Sequence, residues 1–146
     1  MSERTTWRDV LADASVRLSD PNEARWLCEH ASGLDGAEFV AAFDETPTTA
    51  MIASLDRMLS RRLAGEPLQY VMSRWAFRHL DLFVDTRVLI PRPETELIVD
   101  HALAALASSA APQRVVDLGT GSGAIGLAIA AESHPREVEV WLTDAS

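Results

Sequence analysis

Apolar positions recur every three to four residues through the first part of the chain, and then the period changes. Trp7, Val10, Leu11 and Ala14 share one face of a helix. Thr6 marks its start, with Asp9 three residues on as a capping-box partner. Asp20-Pro21 is a clean restart, an N-cap acid followed by proline at the first helical position. Ala24, Leu27, Cys28 and Ala31 form the apolar face of that second helix, and Gly33 ends it. Asp35 opens a short third helix through Phe39 and Val40. Thr46-Pro47 reads as another cap-plus-proline start. It opens the longest helix, with Ile52, Leu55, Met58, Leu59 and Leu63 as its stripe and Gly65 as its end. Short helices with short connections describe a small helical bundle, and such Leu and Met stripes are core.

At Gly65 the pattern shifts toward aromatic and β-branched residues. Trp75 and Phe77, then Leu80, Leu82 and Val84, alternate with polar neighbours. With His79 near the turn this reads as a β-hairpin. Val88-Leu89-Ile90-Pro91 reads as a short strand. Pro93, with Glu94 and Glu96 in the first turn, starts a helix that Leu97, Ile98, His101, Ala102, Leu103 and Leu106 carry to about Ser109. The expected division is residues 1–72, a helical domain, and residues 73–146, the hairpin and the first part of an α/β domain.

That second domain is organised around Arg114 to Ala130. An apolar strand, Val115 to Leu118, breaks into a turn with Gly119, Gly121 and Gly123, and then becomes an Ala-rich helix. A strand, a glycine turn and a helix form the first half of a nucleotide-type βαβ unit. Val138 to Leu142 reads as the next strand, and Asp144 follows it, placed to accept hydrogen bonds from a ribose. Two ligands fit such a loop. Gly121-x-Gly123-x-x-Gly126 matches the dinucleotide fingerprint, and Asp117-x-Gly119-x-Gly121-x-Gly123 matches an S-adenosylmethionine loop. Register separates them. The dinucleotide reading needs Gly119 and Thr120 inside the strand, where glycine is weakening. The S-adenosylmethionine reading ends the strand at Leu118. It also gives Asp117 a role, facing an ammonium and a sulfonium, where a pyrophosphate would be repelled.

Charge narrows the function classes. The 146 residues carry a net charge of −9, with thirteen basic residues, all Arg. That argues against a general nucleic-acid binder. Residues 1–56 carry −7, residues 57–92 carry +4 and residues 93–146 carry −6. The basic middle segment is a solvated helix face paired to the acidic first segment, or a contact for a partner through Arg57, Arg61 and Arg62. A single cysteine, Cys28, in an apolar helical pattern reads as a buried small hydrophobe. His30, His79, His101 and His134 have no metal-ligand spacing, so no metal site is expected. No signal peptide and no membrane-spanning run appear, and the default location is the cytoplasm.

Three segments together resemble one family. Gly65-Glu66-Pro67-Leu68-Gln69-Tyr70, Val88-Leu89-Ile90-Pro91-Arg92-Pro93-Glu94-Thr95-Glu96 and Val116-Asp117-Leu118-Gly119-Thr120-Gly121-Ser122-Gly123 are similar to the HemK/PrmC family in order and spacing. These methyltransferases modify the glutamine of the Gly-Gly-Gln motif in peptide chain release factors. One departure is Ser73, near where the family usually has glycine. A larger one is that the family's Asn-Pro-Pro-Tyr motif, which holds the substrate glutamine, does not occur in this chain.

The resemblance implies an α+β then α/β architecture. A helical substrate-recognition bundle and a β-hairpin connector precede the truncated start of a Rossmann-like class I methyltransferase domain. S-adenosylmethionine would be the cofactor and a release factor the protein substrate, and this N-terminal fragment would be inactive alone. Gly119, Thr120, Gly121, Ser122 and Gly123 would form the floor under the cofactor, Asp144 would hold its ribose and Asp117 would face its methionine end. Arg92, Pro93, Glu94 and Thr95 would line the site near the glutamine. No residue is assigned as a catalytic acid or base. Competing readings are a class I methyltransferase with another acceptor, a nicotinamide-dependent oxidoreductase and a non-catalytic interaction module.

Overall fold

A computed structural model describes residues 5–108, 113–133 and 138–145. The chain divides into two compact units, residues 1–72 and 73–146.

The first unit is built from helices α1 (Trp7–Leu18), α2 (Pro21–Ser32), α3 (Gly36–Ala41), α4 (Thr49–Leu63) and α5 (Leu68–Met72). Thr6 and Asp9 close the capping box: the Thr6 N–H donates to Asp9 Oδ2 at 2.9 Å, and the Thr6 hydroxyl oxygen accepts from the Asp9 N–H. Asp20 Oδ1 accepts from the N–H groups of Asn22 and Glu23, at 2.9 and 3.1 Å. The apolar stripes meet in one core that includes Trp7, Ala24, Leu27, Cys28, Phe39, Leu55 and Leu59. Trp7 and Phe39 pack edge to face with ring centroids 5.5 Å apart. Burial pushes the Cys28 thiol up to about 12, and the neighbouring Glu29 adds to the shift. This cysteine is therefore a packing residue.

Two local expectations need correction. The longest helix is capped by Thr48, whose hydroxyl accepts from the Met51 N–H at 3.2 Å, and not by Thr46. A start at Thr46 would put two β-branched residues, Thr48 and Thr49, inside the first turn at a cost in χ1 freedom. The segment after Gly65 forms α5, which buries Leu68 and Val71 one turn apart. Five residues are too few for a periodic signal to be read in sequence.

In the second unit, β1 (Arg74–Phe77) and β2 (Leu80–Phe83) form an antiparallel hairpin with Trp75 opposite Leu82. Val88 to Pro91 is not a strand. Asp85 ends the extended run instead. Its side chain accepts from the Arg87 N–H at 3.0 Å and its carbonyl from the Val88 N–H at 3.1 Å, an Asx turn that competes with any ladder. A 3-10 turn over Pro93–Thr95 then leads into α6 (Glu96–Ala107). Strands β3 (Gln113–Leu118) and β4 (Val138–Thr143) pair in parallel, Val115 opposite Val140, with α7 (Ala124–Glu132) between them in sequence. Side chains alternate across the sheet, so Val115 and Val140 are partly buried while Val116, Leu118 and Trp141 are exposed. Among the described residues no helix is long and apolar enough to cross a membrane.

Candidate functional site

The strand register is the first fact about the site. β3 ends at Leu118, so Gly119, Gly121 and Gly123 all lie in the turn before α7. Gly119 and Gly121 hold φ +72° and +54°, a region open to glycine and strained for other residues. The turn is tied to the end of β4, where the Thr143 carbonyl accepts from the N–H groups of Gly119 and Thr120, at 2.8 and 3.0 Å. The Gly121 N–H donates to Asp144 Oδ2 at 2.8 Å. The acid after the second strand is thus fixed against the loop before any ligand arrives.

Asp117 is engaged by the protein itself. Its Oδ2 accepts from the Thr120 hydroxyl at 2.7 Å and from the Gly126 N–H at 3.0 Å. It is half-buried and staples the strand end to the loop and to the first turn of α7. Gly126 is glycine for a steric reason. An added Cβ would stand 2.9 Å from Leu142 Cγ and 3.2 Å from Asp117 Oδ2. Helix α7 can therefore lie close on β4 only because that position is bare.

A cleft of about 710 Å³ opens over the loop. Gly121, Ser122, Leu127 and Asp144 form one side, and Asp81, Phe83, Asp85 and Arg87 face it from β2 and the turn beyond. Arg87 is already engaged, its Nη2 2.6 Å from Asp85 Oδ2. That pairing holds the Asp85 carboxyl below the ordinary carboxylate range and pushes the Arg87 guanidinium up. Asp81 pairs in turn with Arg74 at 2.6 Å, so the three carboxylates Asp81, Asp85 and Asp144 stand against two arginines and the cleft is mildly acidic.

Of the expected site residues, the structure brings Gly121, Ser122 and Asp144 to the cleft, with Gly119, Thr120 and Gly123 in the same turn. Arg92, Pro93, Glu94 and Thr95 are not among the residues lining it. Arg92 to Glu94 are exposed, and the Thr95 N–H bonds the Arg92 carbonyl at 3.0 Å in the 3-10 turn. The hairpin wall was not anticipated. The available signal was Phe83, an aromatic placed where strand alternation calls for an outward-facing residue. Among the described residues no cluster of His, Cys, Asp or Glu could hold a metal.

Two of the three arginines considered as a partner contact are used inside the first unit. Arg62 makes a bidentate pair with Glu23 at 2.7 and 2.9 Å, joining α4 to α2. Arg61 pairs with Glu66 at 2.6 Å and donates to the carbonyls of Tyr70 and Val71. Arg57 is exposed.

Strand, glycine turn, helix and parallel strand with a terminal acid make up the opening unit of a class I methyltransferase fold. Residues 95–146 match a family model described as lysine methyltransferase. Residues 4–72 match the model of the PrmC N-terminal domain, so the kinship of this chain with the N-terminal part of the HemK/PrmC family is established. The release factor glutamine methyltransferase of Escherichia coli K12 is 41% identical over 132 residues, which cover 90% of this chain and 47% of that protein. The protein of the same description from Bordetella pertussis is 42% identical over 143 residues, 97% of this chain and 50% of its own length. The one from Bifidobacterium longum is 36% identical over 148 residues, 94% and 50%. The chain spans about half the length of these relatives.

Proposed function

We propose that the chain is the N-terminal half of an S-adenosylmethionine-dependent methyltransferase that acts on the glutamine side-chain amide of a release factor. The observation that carries the cofactor reading is the register: the strand stops at Leu118 and every loop glycine falls in the turn. A dinucleotide fingerprint would have needed Gly119 and Thr120 in the strand. The charge of the cleft supports the same reading. Its three carboxylates outnumber the two arginines paired to them, a balance that favours a sulfonium over a pyrophosphate. The residues present fit the cofactor in size as well, since a 710 Å³ cleft accepts a nucleoside-sized ligand.

Bound S-adenosylmethionine supplies a methyl group already activated by its sulfonium. The chain's own residues bind and orient. The turn from Gly119 to Gly123 offers bare backbone, with Asp144 held by the Gly121 N–H at the position where ribose hydroxyls would donate. Asp117 acts through the loop, keeping Thr120 and α7 in place. Thr120 and Ser122 complete the floor, and the turn from Arg92 to Thr95, exposed at Arg92 to Glu94, is available to the acceptor. An amide nitrogen is a weak nucleophile because its lone pair is delocalised, so rate enhancement here is positioning more than acid–base chemistry. The helical unit serves recognition of the protein substrate, and the cytoplasm is the compartment where a release factor would be met.

The name of the relatives favours the glutamine acceptor, and the family model over residues 95–146 favours a second reading, a lysine acceptor. Incubating the protein, extended through its downstream sequence, with labelled cofactor and a Gly-Gly-Gln-containing release factor separates them. Label on the glutamine supports the proposal, and label confined to lysine overturns it.

A further inference from the structure

Strand β2 alternates in burial. Leu82 points into the core, so Asp81 and Phe83 point the opposite way, to the cleft that holds Gly121 and Asp144. That outer face of the hairpin is otherwise polar or small. Arg74, opposite Phe83, and Asp81, opposite Ala76, form a diagonal ion pair at 2.6 Å across it. Phe83 is the exception, a phenyl ring 65% exposed on a wall of the cleft, with the partly exposed Leu127 also lining it.

This wall is firmly held. Arg78 in the hairpin turn donates through Nε and Nη2 to both carboxylate oxygens of Glu132, at 2.6 and 2.7 Å. Its backbone N–H donates to Glu96 Oε1 at 3.0 Å, and its Nη1 lies 2.8 Å from Asp100. Glu132 is the last residue of α7, whose first turn follows the glycine loop. Hairpin and loop are thus both fixed to one helix, at its two ends.

We infer that the hairpin forms the second wall of the nucleoside site and that Phe83 is the apolar contact for the adenosine of the bound cofactor. The inference rests on the S-adenosylmethionine reading and adds a residue to it. Ribose hydroxyls on Asp144 leave the purine one glycosidic bond away in the same cleft, and purines stack well on an aromatic face. Of the apolar side chains lining the cleft, Leu82, Phe83, Val88 and Leu127, only Phe83 offers an aromatic face, which suits it to a neutral heterocycle.

Calorimetric titration of S-adenosylmethionine and of S-adenosylhomocysteine into the 146-residue chain tests this. Phe83→Ala is expected to weaken both ligands alike, by about tenfold, and Phe83→Trp to restore them. Because the ring is exposed, amide exchange of β1 and β2 serves as the folding control. Unchanged constants in Phe83→Ala overturn the inference while leaving the cofactor reading intact. A loss confined to S-adenosylmethionine overturns it too, since that would mark a contact with the sulfonium. If the parent chain, with α7 and β4 protected from exchange, binds neither ligand, the cofactor reading itself fails.

Discussion

Gly126→Ala is the substitution whose sign reports most directly on how the loop is built. Gly126 lies in α7 without a positive φ, so on helix propensity alone alanine should stabilise by about 0.5–1 kcal/mol. The structure predicts the reverse. The new methyl would stand 2.9 and 3.0 Å from Leu142 Cγ and Cδ2, and 3.2 Å from the Asp117 oxygen that accepts the Gly126 N–H. Leu142 is partly exposed and can yield in part, whereas Asp117 cannot without losing two hydrogen bonds. Overpacking of this kind costs about 1–3 kcal/mol, which after the propensity gain leaves a net destabilisation of up to about 2.5 kcal/mol, centred on about 1. Amide hydrogen exchange reads α7 and β4 locally, and a loss of about 1.4 kcal/mol appears there as a tenfold fall in protection. Leu142→Ala in the same background should recover part of the loss. Gly119→Ala is the contrast. An added Cβ there meets open space, but φ is +72°, so it should cost about 1–2 kcal/mol that Leu142→Ala does not recover. Protection in Gly126→Ala equal to or above the parent would refute the close helix–strand packing.

Other consequences follow from single residues. Ser73 holds φ +54° where glycine would carry no penalty, so Ser73→Gly is expected to stabilise the chain by about 1 kcal/mol in urea denaturation. Hydrogen bonds from Arg78 hold the Glu132 carboxyl below its ordinary value. Their stabilisation is present above that ordinary pKa and lost as the pH falls through the lower native one, so Glu132→Gln should flatten the acid limb of the stability–pH curve. The Cys28 thiol, fully buried and raised to about 12, should resist a thiol reagent at pH 8 in the native chain and react on denaturation.

Most of the helical unit was legible because its signals are local. Thr6, Asp20 and Gly33 each announce a helix end through their own chemistry, and the stripe of Leu55, Met58 and Leu59 repeats at the helical period. The glycine strand, its turn and Asp144 were legible for the same reason. What was missed depends on partners distant in sequence or on competition between local options. Val88 to Pro91 has strand composition, yet the Asp85 side chain captures the backbone first. Asp117 lies at the strand end as expected, but which groups its carboxylate meets depends on the close approach of α7, which Gly126 permits. The hairpin wall depends on Arg78 reaching Glu132, 54 residues away. Ser73 is a local signal whose meaning became visible only with its φ.

The proposed function stands or falls with the turn from Gly119 to Gly123, together with Asp144, as an S-adenosylmethionine site. Its most direct test is titration of S-adenosylmethionine and, separately, of NAD into the purified chain and into Asp144→Ala. The expected result is a micromolar constant for S-adenosylmethionine that Asp144→Ala abolishes, with no heat from NAD. Binding of NAD in its place, or S-adenosylmethionine binding that Asp144→Ala leaves unchanged, would contradict it.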